Sequence, residues 1–407
     1  MFSIFAYLAD QNRFLAIFGI IFILFIAFLF SANKRKIKFG LILKALLLQF
    51  VLAFFVLKTS AGHATFKCIA SGFTKLYSFA SAGTEFVFGK LAYISMPWGM
   101  IFVVKVVPII IFFGALMSLL YHLGVIQLFV RGIALVMKPL LGVSGAESLC
   151  AVANSMLGQT EAPLLIKNYL NKMTKSEILV VMVSGMATLS GSILAVYGSI
   201  GVSMIHMLTA SVMAVPGSIL ISKILIPETE LPETIGGRKI KMEKDSTNVL
   251  DAISTGTTDG MKLAANVVAM LIAFLSLIAL VNYLFSRTGG YSLNDIFAKI
   301  FAPMAYLLGI PKADIYTAGS LFGEKLVINE FVAYSSFVQQ SLLPRSKAII
   351  TYALCGFSNF SCIGIQIGGI GALCPDKRKL LTKLGMTALL GGTLTNFLNA
   401  AIASLLT

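Results

Sequence analysis

Long apolar runs separated by short polar stretches make up most of the chain from about residue 14 onwards. A helix needs about 20 apolar residues to cross roughly 30 Å of hydrocarbon, and eight runs approach that length. The pattern therefore predicts an all-α polytopic membrane protein with eight transmembrane helices. These helices are predicted over residues 14–30, 40–57, 99–123, 177–196, 204–226, 264–285, 348–370 and 386–406.

Composition and charge support a membrane protein rather than a soluble enzyme, a disordered chain or a nucleic-acid-binding protein. Hydrophobic residues make up 57% of the chain and charged residues only 12%, whereas soluble domains carry about 25% charge. The net charge of +15 is interpreted as topological, because basic residues collect in cytoplasmic loops. Basic runs at 34–38, 238–241 and 377–379 fall in alternate loops and predict a periplasmic N-terminus. The first basic run follows the first apolar run, which favours a retained helix over a signal peptide.

Known catalytic and metal-binding motifs are missing from the sequence. The five cysteines have no paired spacing, so they are interpreted as packing residues rather than as disulfides or metal ligands. The sequence also lacks a nucleophile elbow, a phosphate-binding glycine loop and an HExxH motif. It therefore predicts neither an enzyme nor a bound cofactor.

Two segments do not fit the pattern of simple spans. Residues 144–173 and 312–343 are partly apolar, carry polar residues near their centres, and are too short for two full spans each. They are typical of re-entrant hairpins, whose irregular tips are tolerated at membrane depth only inside protein or beside a wet cavity.

The hairpins belong to a unit that occurs twice. Each is followed by a span with a glycine-rich polar interruption, at 185–190 and at 356–361, and then by another span. Paired interrupted helices in two inverted halves indicate the midplane site of a secondary transporter. The alternative is that glycine and serine only permit close helix packing.

Acidic residues in the two hairpins are the leading candidates for substrate contact. Ionisable side chains at membrane depth are costly and mark functional sites by default. Glu161 follows Gln159 in the first hairpin and Glu330 follows Asn329 in the second. A carboxylate accepts two hydrogen bonds, which suits the vicinal hydroxyls of a ribose. The alternative for Glu161 is a helix N-terminal cap.

Two further interpretations concern charges and cations. Asn359 and Thr188 lie in the interrupted spans, where their oxygens and unwound backbone carbonyls suit a small hard cation such as Na+. The adjacent Glu324 and Lys325 are interpreted as a local charge pair.

Three segments resemble the signature segments of the concentrative nucleoside transporter family. They read GQTEAPL at 158–164, NEFVAY at 329–334 and YALCGFSNFSCIGIQIGG at 352–369. PETE at 227–230 fits as well. The resemblance extends from about residue 99 to the C-terminus, and residues 1–60 are similar to the extra N-terminal helices of bacterial members.

The resemblance implies a homotrimeric symporter in a bacterial inner membrane that imports nucleosides of the uridine, cytidine and adenosine class with Na+. Each protomer would combine a scaffold with a mobile transport domain. The implied nucleobase contacts are Gly158, Gln159, Thr160, Glu161, Ile193 and Phe357. The implied ribose contacts are Glu330, Asn359 and Cys362. The implied Na+ ligands are Asn154, Leu157, Thr188 and Leu189.

The same resemblance divides the chain into segments. Residues 1–60 would form N-terminal helices, 61–140 an interfacial segment and scaffold helix, and 144–226 the first transport repeat. A cytoplasmic linker would cover 227–247, followed by interfacial and scaffold helices at 248–310 and the second repeat at 311–407. One departure is Cys362, where the family often has serine; a thiol is a weaker hydrogen-bonding group.

Three alternatives to Na+ symport remain. A proton-coupled nucleoside symporter would keep the architecture but require no Na+. A passive channel could not concentrate its substrate. An intramembrane enzyme with Glu161 and Glu330 as acid and base would alter the substrate that it handles.

Overall fold

Helices form the regular structure of the described chain, as the apolar pattern predicts. The computed structural model describes residues 13–93, 101–235, 246–288 and 292–407. In these ranges, six helices are long and apolar enough to cross a membrane, and two of the predicted spans are shorter apolar helices. The all-α prediction is confirmed, and the count of eight crossings stays a prediction. The basic run at 238–241 lies outside the described residues.

Within the described residues 13–93 and 101–141, the N-terminal part contains five α-helices. Residues 61–140, predicted as an interfacial segment and a scaffold helix, are helical over most of their described length, and the first helix among them, α3 (Ser60–Phe88), is 29 residues long. The Thr59 side chain caps α3 by accepting a hydrogen bond from Gly62 N at 3.0 Å. The helices are α1 (Phe14–Leu29), α2 (Phe39–Lys58), α3 (Ser60–Phe88), α4 (Phe102–His122) and α5 (Val125–Leu141).

The region predicted as the first repeat contains two short arms, a broken helix and a continuous helix. The predicted hairpin consists of α6 and a 3-10 helix at Ala162–Ile166 that pack against each other. The span predicted at 177–196 is interrupted between Ala187 and Gly191. The helices are α6 (Gly145–Asn154), α7 (Lys167–Leu170), α8 (Lys175–Ala187), α9 (Gly191–Ser199) and α10 (Met204–Leu225).

The second repeat has the same order after two connecting helices. The helix predicted at 264–285 begins much earlier, at Val249, because its polar first turns are stabilised by Asn248, whose side chain accepts from Asp251 N at 2.9 Å. The helices are α11 (Val249–Thr288), α12 (Leu293–Leu307), α13 (Ile315–Val327), α14 (Glu330–Val338), α15 (Pro344–Leu354), α16 (Phe360–Leu373) and α17 (Arg378–Leu406).

Burial separates a central bundle from a peripheral pair of helices. The helix α17 contacts α8, α10 and α15, and α10 contacts α8 and α15. Most of the apolar segment Lys175–Ser199 is buried. In contrast, α11 packs mainly on α4 and leaves most of its apolar surface exposed. The breaks in α8–α9 and α15–α16 therefore lie inside protein, where unpaired backbone groups can be satisfied.

Candidate functional site

The two helix breaks lie side by side at the centre of the bundle. Thr188 and Ser190 have extended backbone between α8 and α9, and Asn359 has extended backbone before α16. Phe357 N donates to Thr188 O at 3.3 Å, which joins the two breaks directly. Thr188 and Phe357, which are 169 residues apart in the sequence, therefore belong to one irregular region.

Asn396 of α17 binds a backbone carbonyl at each of the two breaks. Its Nδ2 donates to Ala187 O at 2.8 Å and to Cys355 O at 2.7 Å, the last carbonyls near the ends of α8 and α15. A helix end leaves such carbonyls without intrahelical partners. Gly356 is needed beside them, because a Cβ there would lie 2.6 Å from Asn396 Oδ1 and 2.8 Å from Ala187 O.

The tip of the first hairpin is a tight turn closed by Glu161. Gly158 N donates to Glu161 Oε2 at 3.0 Å, and Glu161 N donates back to Gly158 O at 3.0 Å. Glu161 occupies the N-cap position of the 3-10 helix that follows, but its side chain makes no capping hydrogen bond to that helix. The carboxylate instead stabilises the tip that precedes it.

Glu330 and Asn359 form the core of the second group. Glu330 Oε1 accepts from Tyr197 OH at 3.2 Å, and Oε2 accepts from Asn359 Nδ2 at 2.9 Å. Asn359 Oδ1 accepts from Cys362 N at 3.0 Å and from Ser361 Oγ at 2.6 Å, which caps α16. Glu330 and Asn359 are both buried, so a carboxylate is held at depth by neutral donors.

Gln159 connects the first hairpin to this group. Its Nε2 donates to Cys362 Sγ at 3.2 Å, and its Oε1 accepts from Gln366 Nε2 at 3.0 Å. Gln366 also donates to Met182 O at 2.9 Å. Hydrogen bonds through Gln159, Cys362 and Asn359 therefore connect the residues implied to contact the base with those implied to contact the ribose.

A cavity of about 480 Å³ lies between the first hairpin and the helices α4 and α11. Its size is within the range of small-molecule sites. Hydroxyl and carboxyl groups face it from both sides, and Glu330 and Asn359 are not among its lining residues. The polar lining includes Thr160, Glu161, Ser190, Ser192, Ser118 and Asp259.

The two apolar candidates lie away from this cavity. Ile193 is buried in α9, and Phe357 is half-buried in the second break. Neither is among the cavity's lining residues.

The implied cation ligands gather around Ser184. Asn154 Nδ2 donates to Ser184 Oγ at 2.8 Å, and Thr188 Oγ1 donates to Ser184 O at 2.8 Å. Asn154 Oδ1 is buried and accepts no hydrogen bond. A buried amide oxygen without a partner is costly, and it suits a cation that prefers oxygen ligands.

The other two implied ligands are backbone positions near the same place. Leu157 and Leu189 are both buried. Gly191 N donates to Met156 O at 3.0 Å, which brings the end of the first arm to the start of α9. The residues present therefore fit a small monovalent cation.

Sequence reasoning missed several polar residues and misassigned one pair. Tyr197, Ser184, Gln366 and Asn396 are polar residues inside apolar runs, and that signal alone could have selected them. The predicted pair of Glu324 and Lys325 is wrong, because each side chain binds elsewhere. Glu324 Oε1 accepts from Asn294 Nδ2 at 3.0 Å, and Lys325 binds neutral oxygens.

Family models match most of the chain in three consecutive parts. Residues 18–91 match the N-terminal part of Na+ dependent nucleoside transporters, and residues 206–404 match their C-terminal part. Residues 103–204 match a model described as nucleoside recognition.

Individual proteins are similar over nearly the whole length. An uncharacterized transporter of Haemophilus influenzae is 41% identical, with 96% of this chain and 97% of the relative covered. The nucleoside permease NupC of Helicobacter pylori is 39% identical, with 96% and 97% covered.

A solved structure gives the same result for the fold. The structure of CNTnw in an inward-facing substrate-bound state superposes with a TM-score of 0.92 at 37% identity, and 97% of each chain is covered. The relatives are transporters and permeases rather than enzymes. The chain therefore belongs to the Na+ dependent nucleoside transporter family, the concentrative nucleoside transporters.

Proposed function

We propose that this protein imports nucleosides of the uridine, cytidine and adenosine class together with Na+. The observation that carries the proposal is the buried group of Glu330, Asn359 and Gln159, since its hydrogen-bonding groups suit an uncharged ligand rich in hydroxyls. Glu330 and Asn359, with Cys362, would hold the ribose. The first hairpin would hold the base, with Ile193 and Phe357 packing against it.

The proposed cation site is supported by the unpaired oxygen of Asn154. Na+ bound there would also take the Thr188 hydroxyl and the backbone carbonyls of Leu157 and Leu189. Such an ion would join the first hairpin to the first helix break. Because the same hairpin carries Gln159 and Glu161, each ligand would raise the affinity for the other by the same factor.

The ion gradient would provide the free energy for accumulation. One charge moving through about 100 mV is worth roughly 2.3 kcal/mol, and a tenfold Na+ gradient adds about 1.4 kcal/mol. For one Na+ per nucleoside, the sum supports accumulation of roughly a few hundred-fold. The central bundle would carry the substrate between the two membrane faces while α4 and α11 stay in place.

The proposed setting is a bacterial inner membrane, with a periplasmic N-terminus and a homotrimeric assembly. The orientation is supported by the basic loops of the sequence. Apolar side chains exposed on α3 and α5, such as Phe79 and Leu128, are available to contact lipid or neighbouring protomers.

The test is uptake of radiolabelled uridine into proteoliposomes under four conditions: with or without an inward Na+ gradient, and with or without a pH gradient. Na+-driven uptake that rises above equilibrium and then declines is expected. Chromatography of the imported uridine should show an unaltered nucleoside.

Each of the other outcomes would contradict a different part of the proposed function. An overshoot driven by the pH gradient alone would replace Na+ with protons as the coupling ion and remove the cation site from Asn154. Uptake that never exceeds equilibrium would indicate a channel. Failure with uridine, cytidine and adenosine under either gradient would contradict the proposed substrate class.

A further inference from the structure

A lysine side chain is buried near the second helix break, and the groups that it binds directly are neutral. Lys325 lies in the last turn of α13 and is 3% exposed. Its Nζ donates to Ala353 O at 2.8 Å and to Asn396 Oδ1 at 2.6 Å. In the described ranges, no carboxylate oxygen lies within 4.0 Å of this nitrogen. The ammonium thus binds two neutral oxygens directly, and the Glu330 carboxylate acts on it only from a greater distance.

The position of this nitrogen favours a positively charged group. Ala353 O is one of the last four carbonyls of α15, which have no intrahelical partner. The C-terminal end of a helix also carries partial negative charge. Asn396 turns its side-chain oxygen toward Lys325, because its nitrogen is used by Ala187 O and Cys355 O.

The first repeat has a corresponding place. Asn154 is the last residue of α6, the first arm of its hairpin, as Lys325 lies at the end of the first arm of the other hairpin. Asn154 reaches the last turn of α8 through Ser184. Its Oδ1 is buried and accepts no hydrogen bond. One repeat therefore presents an unpaired oxygen at the end of its broken helix, and the other presents a cation.

We propose that the Lys325 ammonium is a built-in cation that occupies, at the second helix break, the place which a coupling cation takes at the first. Removal of this side chain creates a second site for a monovalent cation. The inference rests on the proposed function for the role of the first site. It explains why only one of two similar breaks would take an ion from solution.

The oxygens that remain after removal of the lysine side chain determine which class of ion can bind there. Without the lysine side chain, Ala353 O and Asn396 Oδ1 remain as possible ligands. Ser358 Oγ lies next to them and donates a hydrogen bond to Asn396 Oδ1 at 2.9 Å. These are neutral oxygens, which suit Na+ better than Ca2+ or Mg2+, since divalent ions take carboxylate ligands. The shortened side chain also leaves room for an ion or its water.

The experiment compares the full-length wild type with Lys325→Ala and Lys325→Arg. Each protein is purified in parallel in NaCl and in choline chloride, and its Tm is measured against Na+ concentration at constant ionic strength. For Lys325→Ala we expect a larger Na+-dependent rise in Tm than for the wild type. In uptake assays the Hill coefficient for Na+ should rise from about 1 towards 2, which is the upper limit for two coupled sites. Lys325→Arg keeps the charge and should respond to Na+ as the wild type does.

Two outcomes overturn the inference. The first is a folded Lys325→Ala protein whose Tm and Hill coefficient respond to Na+ as in the wild type. The second is a Lys325→Ala protein that cannot be purified in either salt although Lys325→Arg can, because Na+ then does not replace the ammonium.

The same data separate this inference from the proposed function. A Na+ response in Lys325→Ala but not in the wild type would support the role of Lys325 and contradict Na+ coupling at Asn154. A Na+ response of equal size in both proteins would support the proposed function and reject the role of Lys325.

Discussion

Single side chains at this site combine several hydrogen bonds at once. Glu330 uses each carboxylate oxygen for a different donor, and Asn359 both donates to Glu330 and accepts from Cys362 N. Such fully connected polar groups are stable in a low-dielectric interior, whereas partly connected ones are costly. The identity of each residue therefore matters beyond its polarity.

Glu330→Gln should reduce uridine uptake at least tenfold. The amide can keep the partners Tyr197 and Asn359, but it loses the charged acceptor, and hydrogen bonds to charged groups contribute about 1.5–3 kcal/mol. Uptake into proteoliposomes measures the effect. Glu324→Gln in the same hairpin is the control, because its amide still accepts from Asn294. Equal uptake by Glu330→Gln and wild type would remove Glu330 from the ribose site.

Asn154→Ala should raise the Na+ concentration that gives half-maximal uptake at least tenfold. The substitution removes the buried oxygen that accepts no hydrogen bond, and loss of an interaction of about 1.4 kcal/mol is a factor of ten. Na+ titration of uptake is the measurement. Ser155→Ala is the neighbouring control, because its hydroxyl binds only Val152 O. An unchanged Na+ titration in Asn154→Ala would locate the cation elsewhere.

At the scale of elements, two interrupted helices meet instead of two continuous ones. The interruptions need glycine, serine and asparagine, because these residues permit close backbone approach or cap the helix that follows. Asn359 caps α16, and Gly356 lets the second break approach Ala187 O and Asn396. Both breaks depend on this contact, so a change at one should affect the other.

Gly356→Ala should lower the Tm and abolish most uptake. A methyl group there would lie 2.6 Å from Asn396 Oδ1, and overpacking of this kind costs about 1–3 kcal/mol. Thermal unfolding in detergent measures the loss of stability. Gly364→Ala is the control, since a methyl group on this exposed glycine of α16 would have no atom within 4 Å. Equal Tm values for the two variants would show that a methyl group at Gly356 does not disturb the contact between the two breaks.

At the scale of the whole molecule, the bundle with both breaks faces the pair of α4 and α11 across the cavity. This pair is closely packed, because Gly114 and Gly256 bring the two backbones together. Small residues at helix contacts are typical of membrane proteins, where close packing replaces the hydrophobic effect. A tight pair of this kind suits the proposed role of a fixed wall for a moving bundle.

Gly256→Ala should destabilise the protein and raise the substrate concentration needed for half-maximal uptake. The new methyl group would lie 2.5 Å from Gly114 O and from Ser118 Cβ, which forces α11 away from α4 beside the cavity. Gly132→Ala in α5 has open space around it and should be neutral or slightly stabilising, since alanine favours helix. Tm and uptake are measured for both, and identical behaviour would contradict the close contact.

Local composition is enough to predict the class of the fold, the two similar halves and the two hairpin acids. Apolar length, glycine-rich interruptions and ionisable residues at depth depend only on local composition, so they are visible in one chain. The match of 158–164, 329–334 and 352–369 to a known family then identified Gln159, Glu330 and Asn359 as candidates.

Which polar groups meet depends on how distant segments of the chain pack together. Gln159 and Cys362 are 203 residues apart, and Lys325 and Asn396 are 71 apart. Because an adjacent acid is the simplest partner for a lysine, the sequence favoured Glu324 for Lys325. The fold instead directs Lys325 to the end of α15, where free carbonyls take the place of a carboxylate. Such partners are backbone groups of distant helix ends, and no residue type in the sequence marks them.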